Sequence, residues 1–187
     1  MKKIFVLFSS PHKNGKTKKL LSSFVKPLEK QFNIEIFNTY DNIISPCIDC
    51  KKCIKSGFCN FNDLETLSIN LESCDIIIIA SPIYNFGFPS PLKSVLDRFQ
   101  LYYNFYIENN RCKIEKSKEI VLLLTCGRPE DNATIHNLEK QVNCIFKYLN
   151  AKIIYKIIWD NTDANSDLNE DLLQKIERVS DFLIDKN

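Results

Sequence analysis

The chain has 187 residues, a length that fits one domain able to bury roughly 70% of the surface its unfolded form exposes. Its 25 basic and 23 acidic residues nearly cancel, and no run of Lys or Arg supplies the footprint of a nucleic-acid or membrane binder, which leaves small molecules as expected partners. No apolar stretch reaches the ~18 residues of a membrane span, and Met1-Lys2-Lys3-Ile4 leads straight into a strand pattern instead of a signal peptide, so the protein is expected in the cytoplasm.

Residues 3–9 (KIFVLFS) form a short apolar run, and residues 17–30 then carry Leu20, Leu21, Phe24 and Leu28 at helical spacing. A second strand is predicted over 34–38, then an irregular cysteine segment, then a helix over 63–72 with Asn62 and Glu65 spaced as a capping box. Residues 75–80 (DIIIIA) read as a third strand. Ser90 as N-cap and Pro91 at the first helical position open a helix through Leu92, Val95, Leu96 and Phe99, ending near Tyr102. Residues 103–118 read as a polar connection with interspersed aromatics. A strand over 119–124, a helix marked by Ile135, Leu138, Val142, Ile145, Phe146 and Leu149, a strand over 153–158 and a helix over 172–183 complete the chain.

Strands that lose polar alternation between amphipathic helices imply a parallel sheet covered by helices on both faces. No linker or repeat interrupts the pattern, so residues 1–187 are expected to form a single α/β domain with the cysteine-rich loop 47–59 inserted in it. Five such units commonly adopt the doubly wound order 2-1-3-4-5, whose ligand crevice lies at the carboxyl ends of strands one and three. The loops that matter are therefore 10–16 and 81–90.

The first loop, SSPHKNGKT, brings hydroxyls, an amide and a lysine to the start of a helix, where backbone N–H groups and the positive helix end favour a phosphate. Ser10, Asn14 and Thr17 are candidate donors, Gly15 permits close backbone approach, and Lys16 and His12 add positive charge. The same stretch is one residue away from the triphosphatase pattern G-x-x-x-x-G-K-[ST], with Ser10 in place of the first glycine, and the third strand ends in Ser-Pro instead of the Asp that would orient Mg²⁺. A P-loop nucleotide-binding protein and a plain polar loop with solvated lysines stand as alternatives. In the second loop, Pro82, Ile83, Tyr84, Asn85 and Phe86 can bed a planar heterocycle and offer backbone groups to its edge, or simply shape a turn.

Taken together, the SPxKNGxT loop, the segment PCIDCKKCIKSGFC and the stretch CDIIIIASPIYNFGFPSPLKSVLDR resemble the NADPH-dependent FMN reductase and iron-sulfur flavoprotein group of flavodoxin-like proteins over nearly the whole chain. The resemblance implies a flavodoxin-like fold and an FMN-dependent oxidoreductase that passes electrons from NAD(P)H to a small-molecule or protein acceptor. It implies that Ser10, His12, Asn14, Lys16 and Thr17 surround the FMN phosphate, that Pro82 to Phe86 contact the isoalloxazine ring, and that Thr125, Cys126 and Gly127 border it. Where the family usually has Arg in the first loop this chain has His12, and the acidic pair common after the cysteines is Asn62-Asp63. The family also implies a homodimer or higher homo-oligomer, with residues 103–118 able to cover a neighbour's flavin.

Four of the eight cysteines, Cys47, Cys50, Cys53 and Cys59, are spaced C-x2-C-x2-C-x5-C. Three thiolates at successive offsets of three can wrap one corner of a cubane, with a fourth closing it, whereas zinc more often uses two separated pairs. By resemblance the set would hold a [4Fe-4S] cluster near FMN, which would make the protein an electron carrier fed by ferredoxin. Metal-free thiols and zinc remain the other readings. Cys74, Cys112, Cys126 and Cys144 are scattered and read as small apolar side chains, with Cys126 set apart by its place near the expected flavin.

Overall fold

The computed structural model describes residues 1–129 and 131–187. Its centre is the five-stranded sheet that the apolar runs require: β1 (Lys3–Phe8), β2 (Asn33–Asn38), β3 (Ile76–Pro82), β4 (Lys118–Thr125) and β5 (Ala151–Trp159), all parallel, in the expected order β2-β1-β3-β4-β5. Every β3 residue is buried, whereas the edge strand β2 is half-exposed, because only central strands are covered on both faces. Around the sheet run α1 (Lys16–Val25), α2 (Lys52–Ser56), α3 (Glu65–Ser73), α4 (Ser90–Arg98), α5 (Gln100–Asn109), α6 (Asn132–Phe146) and α7 (Glu170–Asp185).

Alternate residues of the strands feed two cores. Phe5, Leu7, Ile77, Ile79, Leu122 and Leu124 meet α3 to α6, while Ile4, Val6, Ile78, Val121 and Leu123 meet α1 and α7 through Leu20, Leu21, Phe24, Ile176 and Val179. This two-sided burial is the physical content of the doubly wound arrangement, and it fixes register, since a one-residue slip would exchange the two faces.

Several boundaries differ from the sequence pattern for local reasons. β3 continues two residues past Ala80 and ends at Pro82, opposite Thr125. Ile83 N–H faces β4, so the missing N–H of Pro82 faces the side where β1 has already ended, and no ladder bond is lost. The cap of α4 falls on Pro89, with Ser90 already helical. The Asn62–Glu65 capping box does not form: residues 62–64 make a 3₁₀ turn with no side-chain cap, and the neighbouring Asp63 is drawn elsewhere. The first seven residues of the connection expected over 103–118 belong to α5, whose aromatics pack within the chain. Tyr103 and Tyr106 lie 5.1 and 5.3 Å from the Tyr148 ring, and Phe99 meets Tyr102 edge-on at 5.6 Å. An aromatic-rich helix with both faces occupied shows no simple apolar stripe, so its periodicity is hidden.

Central and edge strands should therefore respond unequally to truncation. Ile78→Ala is expected to cost about 3 kcal/mol and Ile36→Ala less than about 1 kcal/mol, read from urea midpoints at unchanged slope.

Candidate functional site

Three loops are pinned together at the carboxyl edge of the sheet by the strand ends themselves. Ser9 N–H donates to the Ala80 carbonyl at 2.8 Å, and Ile83 N–H donates to the Thr125 carbonyl at 2.8 Å. The hydroxyls of Thr17, at the start of α1, and Thr125, at the end of β4, share a hydrogen bond of 2.7 Å, and both residues are buried. Thr125 thus joins the loops after β1, β3 and β4. The loop after β2 is tied to the same rim, where Thr39 Oγ1 donates to Ser9 Oγ at 2.8 Å.

Within the first loop, His12 N–H donates to Ser10 Oγ at 3.3 Å and Gly15 N–H donates to the His12 carbonyl at 3.1 Å, so the chain doubles back tightly before α1. A Cβ at Gly15 would sit 2.8 Å from the His12 Cβ, which explains the glycine. No side chain caps α1 and its first turn holds no acid, which leaves the positive helix end without a side-chain cap, preceded in the chain by exposed His12 and Asn14. Ser10 is buried, and Lys16 turns away from the loop: its Nζ donates to the Asn165 carbonyl at 3.1 Å and lies 5.3 Å from the Trp159 ring.

In the second loop, Tyr84 and Gly87 exchange two backbone hydrogen bonds of 2.9 Å around Asn85 and Phe86, both left-handed, with φ of 48° and 62°. Asn tolerates that conformation, but a bulky residue loses about 1–2 kcal/mol there. The strain presents Phe86 and Tyr84 to solvent, 77% and 42% exposed, while Pro82 is buried in the strand end and Ile83 is half-buried. Tyr40, after β2, approaches the same loop: burial and the neighbouring Tyr84 push its phenol up from its ordinary value. No motif marked Tyr40, whose place is set by the β2–β1 pairing.

The third loop is locked from the far side. Cys126 N–H donates to the Trp159 carbonyl, and the Cys126 and Gly127 carbonyls accept from Thr162 and Asp163 N–H at 3.0 and 3.1 Å. A Cβ at Gly127 would run into the Asp163 carboxylate. Cys126 and Gly127 stay partly accessible beside buried Thr125.

A second constellation surrounds the cysteine segment. Cys47, Cys50, Cys53 and Cys59 all line one cavity of about 30 Å³. Among the described residues no three His, Cys, Asp or Glu side chains are arranged to hold one metal ion. Left-handed Asp49 and Lys51, on either side of Cys50, turn the chain around the cavity, and α2 follows. The organising side chain is Arg98, at the end of α4 and only 2% exposed. It donates from Nε to Cys59 Sγ at 3.1 Å, from Nη1 to the Ser45 carbonyl at 2.8 Å, and from Nη2 to the Phe61 carbonyl at 3.3 Å and to Asp63 Oδ1 at 2.8 Å. From α5, Asn104 Nδ2 donates to Cys53 Sγ at 3.1 Å. Sequence reading missed Arg98 and Asn104; the only signal was a lone Arg closing an apolar helix face.

The chain belongs to the family of flavodoxin-like fold, whose model matches residues 2–183. Two curated relatives carry more specific names. The chain is 30% identical over 139 residues to an iron-sulfur flavoprotein of Archaeoglobus fulgidus, a match that covers 73% of the chain and 61% of that protein. It is 26% identical over 194 residues to an FMN-dependent NADH:quinone oxidoreductase of Metamycoplasma arthritidis, covering 95% of each. Among solved structures, an NAD(P)H:quinone oxidoreductase from Methanothermobacter marburgensis superimposes with a TM-score of 0.77 at 15% identity, over 95% of this chain and 94% of that one, a likeness of fold.

Two outcomes follow from this geometry. Burial pushes the Asp63 carboxyl up, but hydrogen bonds from Arg98 and Ser45 outweigh it and leave its pKa below the ordinary 3.8. A depressed carboxyl contributes stability that is complete above its unfolded value and lost as pH falls through the folded one. Asp63→Asn should therefore remove about 2 kcal/mol at pH 7 and flatten the acid limb below about pH 4, checked by urea titrations across pH. Separately, Phe86→Gly should leave thermal stability equal or higher, because relief of the left-handed strain offsets the flexibility that glycine adds to the unfolded chain; a clear fall in Tm would contradict it.

Proposed function

We propose that the chain is an FMN-dependent oxidoreductase that takes electrons from NAD(P)H and delivers them to an acceptor, with FMN seated across the rim joined by Thr125. The observation that carries this reading is the uncapped α1 start held by the Thr17–Thr125 bond against a strained Tyr84–Gly87 turn. Strain of this kind persists where the surroundings impose it and clusters at ligand sites. The relative's name, FMN-dependent NADH:quinone oxidoreductase, supports the same cofactor and donor.

The residues present fit the group. The N–H groups leading α1, the exposed Asn14 side chain and the Gly15 turn would hold the phosphate, and His12 would add a donor. Thr17 serves chiefly as the brace to Thr125, which also argues against the triphosphatase alternative, since the hydroxyl that would face Mg²⁺ is turned into the sheet edge. Ile83, Tyr84 and the Asn85–Phe86 backbone would bed the flat ring, with Cys126 and Gly127 along its border. When bound, FMN supplies the electron transfer itself. The chain would orient the ring through Ile83, Tyr84 and the Asn85–Phe86 backbone, beside the exposed side chains of Tyr84 and Phe86.

A second reading, a [4Fe-4S] cluster on Cys47, Cys50, Cys53 and Cys59, is favoured by the four thiols sharing one cavity with N–H donors on two of the sulfurs. The donor set fits such a group. With a cluster, the protein would serve as a one-electron carrier.

Purified chain mixed with FMN should bind it near one to one and show bleaching of the flavin absorbance on addition of NADH or NADPH under anaerobic conditions. Failure to take up flavin would overturn the first reading, and a flavin that neither nucleotide bleaches would remove the donor assignment. An Asn14→Ala, Thr17→Ala double variant should weaken FMN binding by a few kcal/mol at most, from the loss of one Asn14 hydrogen bond to a charged group and of the Thr17–Thr125 brace that holds the helix start.

A further inference from the structure

We infer that Arg98 and Asn104 are positioning residues that set the reduction potential of a metal–sulfur group held by the four-cysteine segment, through N–H bonds to the sulfurs of Cys59 and Cys53. The inference rests on the cluster reading above and goes beyond it by assigning residues outside the cysteine motif.

A neutral thiol sulfur is a weak acceptor. Aiming a buried guanidinium N–H at one forfeits most of the hydration that the N–H gave up, unless the sulfur carries negative charge. Arg98 does this with Nε at 3.1 Å, although its other nitrogens reach full-strength acceptors on Ser45, Phe61 and Asp63. Those three bonds fix the guanidinium plane and so fix the direction of Nε toward Cys59. Asn104 repeats the arrangement from a different helix, with Nδ2 at 3.1 Å from Cys53 Sγ. Two independent donors thus converge on two sulfurs of one set, around a cavity that all four cysteines line. The left-handed turns at Asp49 and Lys51 carry backbone strain at the same place.

Such donors stabilise the more negative, reduced form of sulfur-ligated iron and raise its potential. Neither side chain ligates the metal, so removing one should change potential without emptying the site.

Asn104→Leu keeps the volume and removes the donor. Purified anaerobically and reconstituted with ferrous iron and sulfide, this variant should match the wild type in iron, sulfide and flavin content. Its cluster midpoint, followed by electron paramagnetic resonance during redox titration, should fall by about tenfold in the reduction equilibrium, 59 mV for a one-electron couple. The flavin midpoint should stay where it is. Arg98→Lys, which retains the charge but loses Nε, should lower the midpoint in the same direction; if it fails to fold, Asn104→Leu carries the test alone. Full iron with an unchanged cluster midpoint, or an equal shift of both midpoints, would overturn the inference and leave the cluster reading intact. A wild type that takes up no iron or sulfide would overturn both together.

Discussion

The bond between the Thr17 and Thr125 hydroxyls is the contact on which the proposed flavin site depends. It is small, two buried hydroxyls 2.7 Å apart, yet it joins the first turn of α1 to the last residue of β4. The Thr125 carbonyl also receives Ile83 N–H, so one residue sets three loops in a common frame. An anion site built from backbone N–H groups works only if the helix start is held still, because each donor is fixed in direction by the chain and not by a rotatable side chain. Rigid strand ends, not the loops, supply that stillness.

A similar logic governs the cysteine segment, with a charged group as its centre. Arg98 is nearly fully buried, which would be costly if any of its donors lacked an acceptor. Its partners come from Ser45, just before the cysteine segment, from Cys59, its last cysteine, and from Phe61 and Asp63, just after it. Satisfying one guanidinium therefore folds that whole stretch onto the junction of α4 and α5. The segment has little apolar core of its own, and a polar hub takes the place of one.

The two constellations sit on opposite ends of α4, since the loop that precedes Ser90 belongs to the rim and Arg98 closes the helix. Burial of Leu92, Val95 and Leu96 against the sheet fixes this helix as a rigid strut between them. The proposed flavin rim at one end and the cysteine segment at the other are held at a constant separation by that packing.

Composition and apolar spacing determined the five parallel strands, their order and the carboxyl-edge location of the loops, because two-sided burial leaves few arrangements for such a pattern. The loops after β1 and β3 were legible for the same reason, as each follows an unmistakable strand. Other features were decided only in three dimensions. The sequence placed Lys16 in the first loop, but its contacts with the Asn165 carbonyl and the Trp159 ring, far along the chain, come from the fold. The residues after Tyr102 looked like a loop, yet Tyr148 gives their aromatics a surface on which to form α5. Tyr40 and Asn104 carry no local signature and Arg98 only a faint one, since what defines them is a partner tens of residues away. Short-range pattern encodes which face of an element is buried; the choice among polar partners depends on which distant groups the packed sheet brings within hydrogen-bonding reach.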